Sequence, residues 1–527
     1  MSVSSGIFVL LLFSKRAVAL FCRVRSIVWT QISVVNRSFV VLNRTCPGIK
    51  LVFVVRFQDV IRIFALMKPA ATPLSLGTDR ISSLLVRYSI PSIIAMTSSS
   101  LYNIIDSIFI GHGVNPLAIS SLALTLPLMN VASAFGSMIG IGASALISIR
   151  LGQGNKRRAE EVLGNVVLLN LIIGTLFTIL SLVFLDPILF FFGASENTIG
   201  YAREFMQIIL SGTIITHMYL GLNEVLRASG YPQKAMMVIL TAVVLNTILN
   251  PLFIFKFGWG IRGSATATVI AQFAALMISL THFSSSGSFL HFKRRIFRLR
   301  ARIVGRILSI GMAPFLLNAC ASVVVIFVNK ALRDHGGDVS IGAYGIVNRV
   351  ALLFVMIVAG LNQGMQPIVG YNYGAKQYSR VLRTLKLTII CAVCVTTTGF
   401  LIGQFLPHEV AMLFVSAKDG AAAETMIEVA AEGMRLVLLV FPIVGFQIVT
   451  SNFFQYIGKP RKAIFLSLTR QMLFLVPLLI LLPPRLGTFG VWISMPIADT
   501  IAALLAAVLL FFQVRKLKYH PDTEKSI

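Results

Sequence analysis

Charge is scarce in this chain. Only 12% of its 527 residues are Asp, Glu, Lys or Arg, where a soluble globular protein carries about a quarter. Acid is scarcer still: 46 basic residues stand against 19 acidic ones, a net charge of +27. With 56% hydrophobic residues and a mean hydropathy of +0.86, this composition excludes a soluble domain and defines a polytopic membrane protein. In a soluble protein the basic excess would point to nucleic acid. Here the basic residues fall mostly between apolar runs and on alternate sides, so nucleic acid is not an expected partner. Five cysteines (Cys22, Cys46, Cys320, Cys391 and Cys394) form no disulfide framework. Cys391 and Cys394 have CxxC spacing inside an apolar helical pattern. With no second pair and no nearby His they read as small packing residues. No GxxxxGK[ST] loop is present, so energy must come from an ion gradient or a separate subunit. No nucleophile–base set or metal cluster sits at membrane depth, so neither an enzyme nor a cofactor is expected.

Residues 1–66 differ in character from the rest of the chain. They hold nine Lys/Arg and one acid, Asp59, and their apolar runs, Ile7–Phe13 and Leu51–Val55, are too short to span a bilayer. Met67 opens a segment that reads like a natural start. Residues 1–78 are therefore expected to be a basic, poorly ordered extension or a misassigned start. A basic peripheral segment on anionic lipid is the alternative.

Beyond them lie twelve apolar runs, six between residues 84 and 283 and six between 304 and 513. Their lengths fit helices and exclude barrel strands. Basic loops alternate with poor ones. Arg150, Lys156, Arg157 and Arg158 fill one; Arg227 and Lys234, Lys376 and Arg380, and Lys459, Arg461 and Lys462 mark others. The positive-inside rule puts these loops, the 284–303 linker and both termini in the cytoplasm. The expected domains are an N-lobe over 79–283, the basic linker over 284–303, a C-lobe over 304–514 and a tail over 515–527.

The chain resembles itself at a shift of 220–228 residues. Leu151–Lys156 answers Tyr371–Lys376, Gly140 answers Gly360, Pro91 answers Pro314, and Asp106 answers Asn329. Gly230-Tyr-Pro-Gln-Lys-Ala235 answers Gly458-Lys-Pro-Arg-Lys-Ala463. Six spans per half give a parallel repeat. The expected fold is an all-α membrane protein, twelve transmembrane helices in two six-helix lobes around a central cavity. The linker reads as solvated and next to lipid headgroups.

Polar residues within the spans are the site candidates. Asp106 lies in Leu101-Tyr-Asn-Ile-Ile-Asp106, where a carboxylate costs roughly 2.5–3.5 kcal/mol on insertion scales. Tyr102 shares its face, and Asn103 lies three residues away. An aspartate snorkelling to the outer interface is the plain alternative. Asn246 and Asn250 stand on one face of span five, and Thr268 lies in span six. Oxygen donors and one carboxylate suit a hard cation or a proton-linked network. In the second half Arg349 and Gln363 lie in span eight and Asp499 in span twelve. Arg349 and Asp499 read as that half's only deep charges, either a structural pair or a second proton or substrate site.

The segments YNIIDSIFIG, LGQGNK, LRASGYPQKA, LNTILNPLFIF, GSATATVIAQ and YNYGAK together resemble those of the multidrug and toxic compound extrusion (MATE) transporters. The similarity looks closest to the bacterial branch of DNA-damage-inducible F-type proteins and related multidrug exporters. It covers residues 79–517. It implies export of organic, often cationic, compounds from a bacterial inner-membrane protein in exchange for H⁺ or Na⁺, by alternating access. It implies that Asp106 is the N-lobe proton or sodium carrier, with Asn246 and Thr268 in its network and Na⁺ at Asp106, Asn246 and Thr268 as the alternative cargo. Asn250 departs from the family, which commonly has aspartate there. One carboxylate fewer should weaken Na⁺ binding and favours H⁺ as the coupling ion. Tyr102, Asn103, Arg349, Gln363 and Asp499 are the candidate substrate contacts. The expected partners are small organic substrates and membrane lipid, and a monomer is expected. The rival readings are a lipid-linked oligosaccharide flippase of the same superfamily and, more distantly, a non-transporting receptor or scaffold.

Overall fold

The computed structural model describes residues 32–33, 39–46, 49–56, 73–113, 116–192, 194, 196–415 and 421–519; side chains before 75, at 101–108 and at 111–120 are among those outside it. In the first segment three short strands, Ile32–Ser33, Phe39–Cys46 and Ile49–Arg56, pair antiparallel. The sequence reading did not anticipate this sheet. From Ile81 onward every regular element described is helical.

Among the described residues nine helices are long and apolar enough to cross a bilayer singly. Two bent pairs do so together, Thr198–Ser211 with Thr213–Ala228 at 52° and Ala423–Val437 with Phe441–Tyr456 at 56°. The 33-residue helix Ile81–Gly113 completes the twelve spans. Spans 1 to 6 are Ile81–Gly113, Pro116–Gly152, Lys156–Val183, the first bent pair, Pro232–Lys256 and Gly260–Ser284. Spans 7 to 12 are Ala301–Gly337, Val339–Gly374, Tyr378–Phe405, the second bent pair, Pro460–Leu481 and Pro483–Lys518. The bend in span 4 falls at Gly212, where a Cβ would press into the Val269 side chain of span 6. The second bend comes just before Pro442, in the first turn of its helix; proline has no N–H to donate to the preceding turn. Large apolar side chains such as Leu176, Ile179 and Val183 face outward from span 3, as a lipid-facing surface requires.

The two halves repeat in backbone detail. Span 2 ends with N–H groups of Gln153, Gly154 and Asn155 donating to the carbonyls of Ile149, Leu151 and Arg150; span 8 ends with Ala375, Lys376 and Gln377 donating to Tyr371, Tyr373 and Asn372. Each is a Schellman ending with its left-handed residue at Gly154 (φ 72°) or Lys376 (φ 59°). The true correspondence is therefore Gly154 with Lys376 and Gly152 with Gly374. The letter match of Leu151–Lys156 to Tyr371–Lys376, and of Gly140 to Gly360, is two residues out of register. It aligns glycines, whereas the turn is fixed by hydrogen bonding, and lysine occupies the glycine position in the second half. The other motif pair holds as aligned. Gly230 (φ 94°) and Gly458 (φ 70°) occupy the same place in two matching Schellman endings.

The halves meet at one end. Spans 2 and 8 cross where a Cβ at Gly152 would overlap the Tyr371 carbonyl oxygen and one at Gly374 the Ile149 carbonyl oxygen. Spans 2 and 7 do the same through Gly142 against Ile307 and Gly311 against Met138. Spans 1 and 8 touch at Ser89, whose hydroxyl donates to the Leu361 carbonyl at 3.5 Å. These contacts lie in the half of the spans nearest the linker. Close approach of backbones through small residues is the usual way helices associate in lipid.

The linker is largely exposed, as expected of a solvated segment, and it is also docked on span 3 at a few points. Lys293 Nζ binds both Glu160 carboxylate oxygens at 2.9 and 2.8 Å, and Arg300 Nη1 lies 2.8 Å from Glu161. Asn165 of span 3 donates to the Arg298 carbonyl at 3.2 Å and accepts from the Arg300 N–H at 3.0 Å. Ile296 is buried, its carbonyl seated where a side chain at Gly164 would be.

Candidate functional site

The first-half cluster is built on spans 5 and 6. Asn246 and Asn250 stand one turn apart on the helix Pro232–Pro251, both buried. Asn246 Nδ2 donates to Thr268 Oγ1 at 2.9 Å, and Asn250 Nδ2 lies 3.5 Å from Asn246 Oδ1. Thr268 is buried on Gly260–Ser284. Past Pro251 the backbone widens into a π-turn, Leu252–Lys256; such turns recur at functional sites. Span 1, which carries Tyr102, Asn103 and Asp106, packs along span 5 and touches span 6. The side chains of Tyr102, Asn103 and Asp106 lie outside the described residues. The cluster that is described is neutral: amides and a hydroxyl offer both donors and acceptors, as a proton-linked network or a weak cation site needs.

In the second half the sequence reading is corrected. Asp499 pairs with Arg470, not Arg349: Arg470 Nε lies 2.5 Å from Asp499 Oδ1 and Nη2 3.4 Å from Oδ2. The side chains are 26% and 12% exposed. Arg349 is exposed on span 8, so Arg349 and Asp499 are not that half's only deep charges. Arg470 falls in the π-turn Thr469–Leu475, within a run that hydropathy reads as uniformly apolar. Gln363 is half-buried at the seam between the halves, its Nε2 3.8 Å from Met96 Sδ of span 1. Gln366 beside it bonds Ser144 of span 2.

Two further polar groups escaped the sequence reading. His217 is buried in span 4, its Nε2 2.8 Å from the Ala132 carbonyl of span 2. A lone histidine in the middle of an apolar run was the available signal. Arg227, read as a loop charge, is only 1% exposed. It spans both Glu224 oxygens at 3.0 Å and reaches Asn223 Oδ1 at 3.2 Å, while Asn223 holds the Ala235 carbonyl at 2.8 Å. This ties span 4 to the start of span 5 across the Gly230 turn. The i, i+3 spacing of Glu224 and Arg227 was legible; the burial of Arg227 was not.

A neutral buried cluster in one six-helix half, an ion pair in the other and a glycine seam joining them belong to a two-lobed, multi-pass membrane protein. The MatE family profile matches residues 91–252 and 310–481, more than half of the chain, so the chain belongs to that family. Among relatives, the multidrug export protein MepA of Staphylococcus haemolyticus is 26% identical over 427 residues, covering 81% of this chain and 92% of that protein. MepA of Staphylococcus aureus strain MSSA476 is 24% identical over 434 residues, 81% of this chain and 93% of that protein. Two solved structures share the fold. The outward-facing conformation of a multidrug resistance MATE family transporter of the MOP superfamily matches with a TM-score of 0.80 at 24% identity, over 86% of this chain and all of that one. A MOP superfamily transporter from Pyrococcus furiosus matches with a TM-score of 0.79 at 24% identity, over the same shares.

Proposed function

We propose that this chain exports organic, cationic compounds in exchange for H⁺ by alternating access. The observation that carries the reading is the buried Asn246–Thr268–Asn250 cluster, packed in the lobe whose first span bears Asp106. That lobe meets its partner through a seam at one end. The names of the MepA relatives support drug export. Basic loops at the linker end support a cytoplasmic position for that end and for both termini.

In this reading the seam closes the cytoplasmic side while the other side is open. Asp106 takes a proton from outside. Neutralising it removes a charge from span 1, which packs along span 5, and this changes which arrangement of the first lobe is favoured. Substrate leaves, the lobes rock, and the proton is released inside as new substrate binds. Na⁺ is the weaker candidate, since Asn250 supplies an amide oxygen rather than a carboxylate. Adaptable Met and Phe surfaces suit varied apolar cations. Asp106→Asn in cells that depend on the chain for dye resistance should abolish efflux while the protein remains in the membrane. Wild-type efflux from that variant would sink the assignment.

A further inference from the structure

A pocket of about 370 Å³ lies where span 2, span 3, the linker and the start of span 7 converge. Five guanidinium groups line it, those of Arg150, Arg158, Arg300, Arg302 and Arg306, with one carboxylate, Glu161. Glu161 is already engaged, 2.8 Å from Arg300 and 3.8 Å from Arg157. Among the described residues, the other four arginines therefore share the pocket with no carboxylate left to balance them. Like charges gathered this way repel unless an anion sits among them. The planar guanidinium fork fits phosphate oxygens pairwise. Leu146 and Ile303 supply an apolar wall beside the charges.

The two lobes contribute together. Arg150 and Arg158 come from spans 2 and 3, Arg302 and Arg306 from the first turns of span 7. The pocket adjoins the seam, since Ile307 is the residue that meets Gly142. We propose that this pocket is a phosphate-binding site that takes the phosphodiester of an anionic lipid headgroup or a free phosphate, and that the bound anion bridges the lobes at the linker end. Because Arg302 and Arg306 would separate from Arg150 if the seam opened, the anion binds the sealed arrangement more tightly and favours it. This holds whichever ion drives transport.

The test is thermal unfolding of the detergent-purified chain, at constant ionic strength, titrated in separate arms with dioctanoyl phosphatidylglycerol, dioctanoyl phosphatidylcholine and inorganic phosphate. A saturable rise in Tm with phosphatidylglycerol, absent with phosphatidylcholine, is expected. The double variant Arg302→Gln/Arg306→Gln should raise the half-saturating concentration roughly thirtyfold, from two lost basic contacts. Both residues are exposed, and Arg302→Gln alone, with a smaller shift, covers any folding defect of the pair. Arg294→Gln/Arg295→Gln, which removes the same charge elsewhere on the linker, should leave the titration unchanged. A matching response to inorganic phosphate assigns the site to phosphate itself; a response to phosphatidylglycerol alone assigns it to lipid. No saturable response to either anion, an equal response to phosphatidylcholine, or equal losses in the two double variants would overturn the proposal.

Discussion

The seam between the lobes makes a prediction that can be worked from its geometry. A Cβ placed on Gly311 would collide with the Met138 carbonyl oxygen and lie 2.7 Å from its carbonyl carbon and 2.9 Å from its Cγ. The obstacle is backbone, so no side-chain rotation relieves it. Gly311→Ala must part spans 2 and 7, and a gap of roughly 0.5–1 Å already forfeits a quarter to a half of the dispersion attraction at each contact. Overpacking of this kind costs about 1–3 kcal/mol. The cost falls only on the arrangement in which the seam is closed. The equilibrium should therefore move away from it by about fivefold to over a hundredfold. Spin labels at Gln153, in the turn after span 2, and at Ser379, in the first turn of span 9, would report this as a longer distance in a larger fraction of molecules. An unchanged distance distribution in folded Gly311→Ala would refute the idea that this contact seals the lobes.

Other expectations rest on single contacts. Lys376→Gly should raise stability by about 1 kcal/mol, since a left-handed lysine is strained where glycine is not; thermal unfolding measures it. Arg470→Met should destabilise by about 3 kcal/mol by leaving Asp499 unpaired, and adding Asp499→Leu should restore most of that loss. The comparison of the two melting curves separates a structural pair from a site that needs its charges. Asn165→Leu removes bonds to the linker at Arg298 and Arg300, worth about 1–3 kcal/mol together. Trypsin should then cut the linker faster than in the wild-type chain, and an unchanged rate would mean that the ion pairs of Glu160 and Glu161 hold it alone.

Hydropathy and loop charge made the twelve spans and the two halves legible, because a bilayer demands long apolar helices wherever the chain crosses. The repeat was legible as well, but its register was not. Letter identity aligned Gly154 with Gly374, whereas the Schellman bonds align Gly154 with Lys376. The Asn246–Thr268 bond joins residues that the family resemblance grouped; spacing alone put only Asn246 and Asn250 on one face. The pairing of Asp499 with Arg470 was hidden, since contacts across helices leave no period in the sequence and an arginine in an apolar run does not break it. The contact of His217 with Ala132 and the docking of the linker on Asn165 were hidden for the same reason. Each depends on which faces pack, a matter decided by tertiary approach at glycines such as Gly164 and Gly136.

Transport against an imposed gradient tests the central claim most directly. Purified chain in liposomes, given an inward proton gradient with Na⁺ equal on both sides, should drive a fluorescent organic cation in the opposite direction. Asp106→Asn should abolish that movement. Movement of the cation under a Na⁺ gradient alone, or undiminished proton-driven movement in Asp106→Asn, would contradict the account.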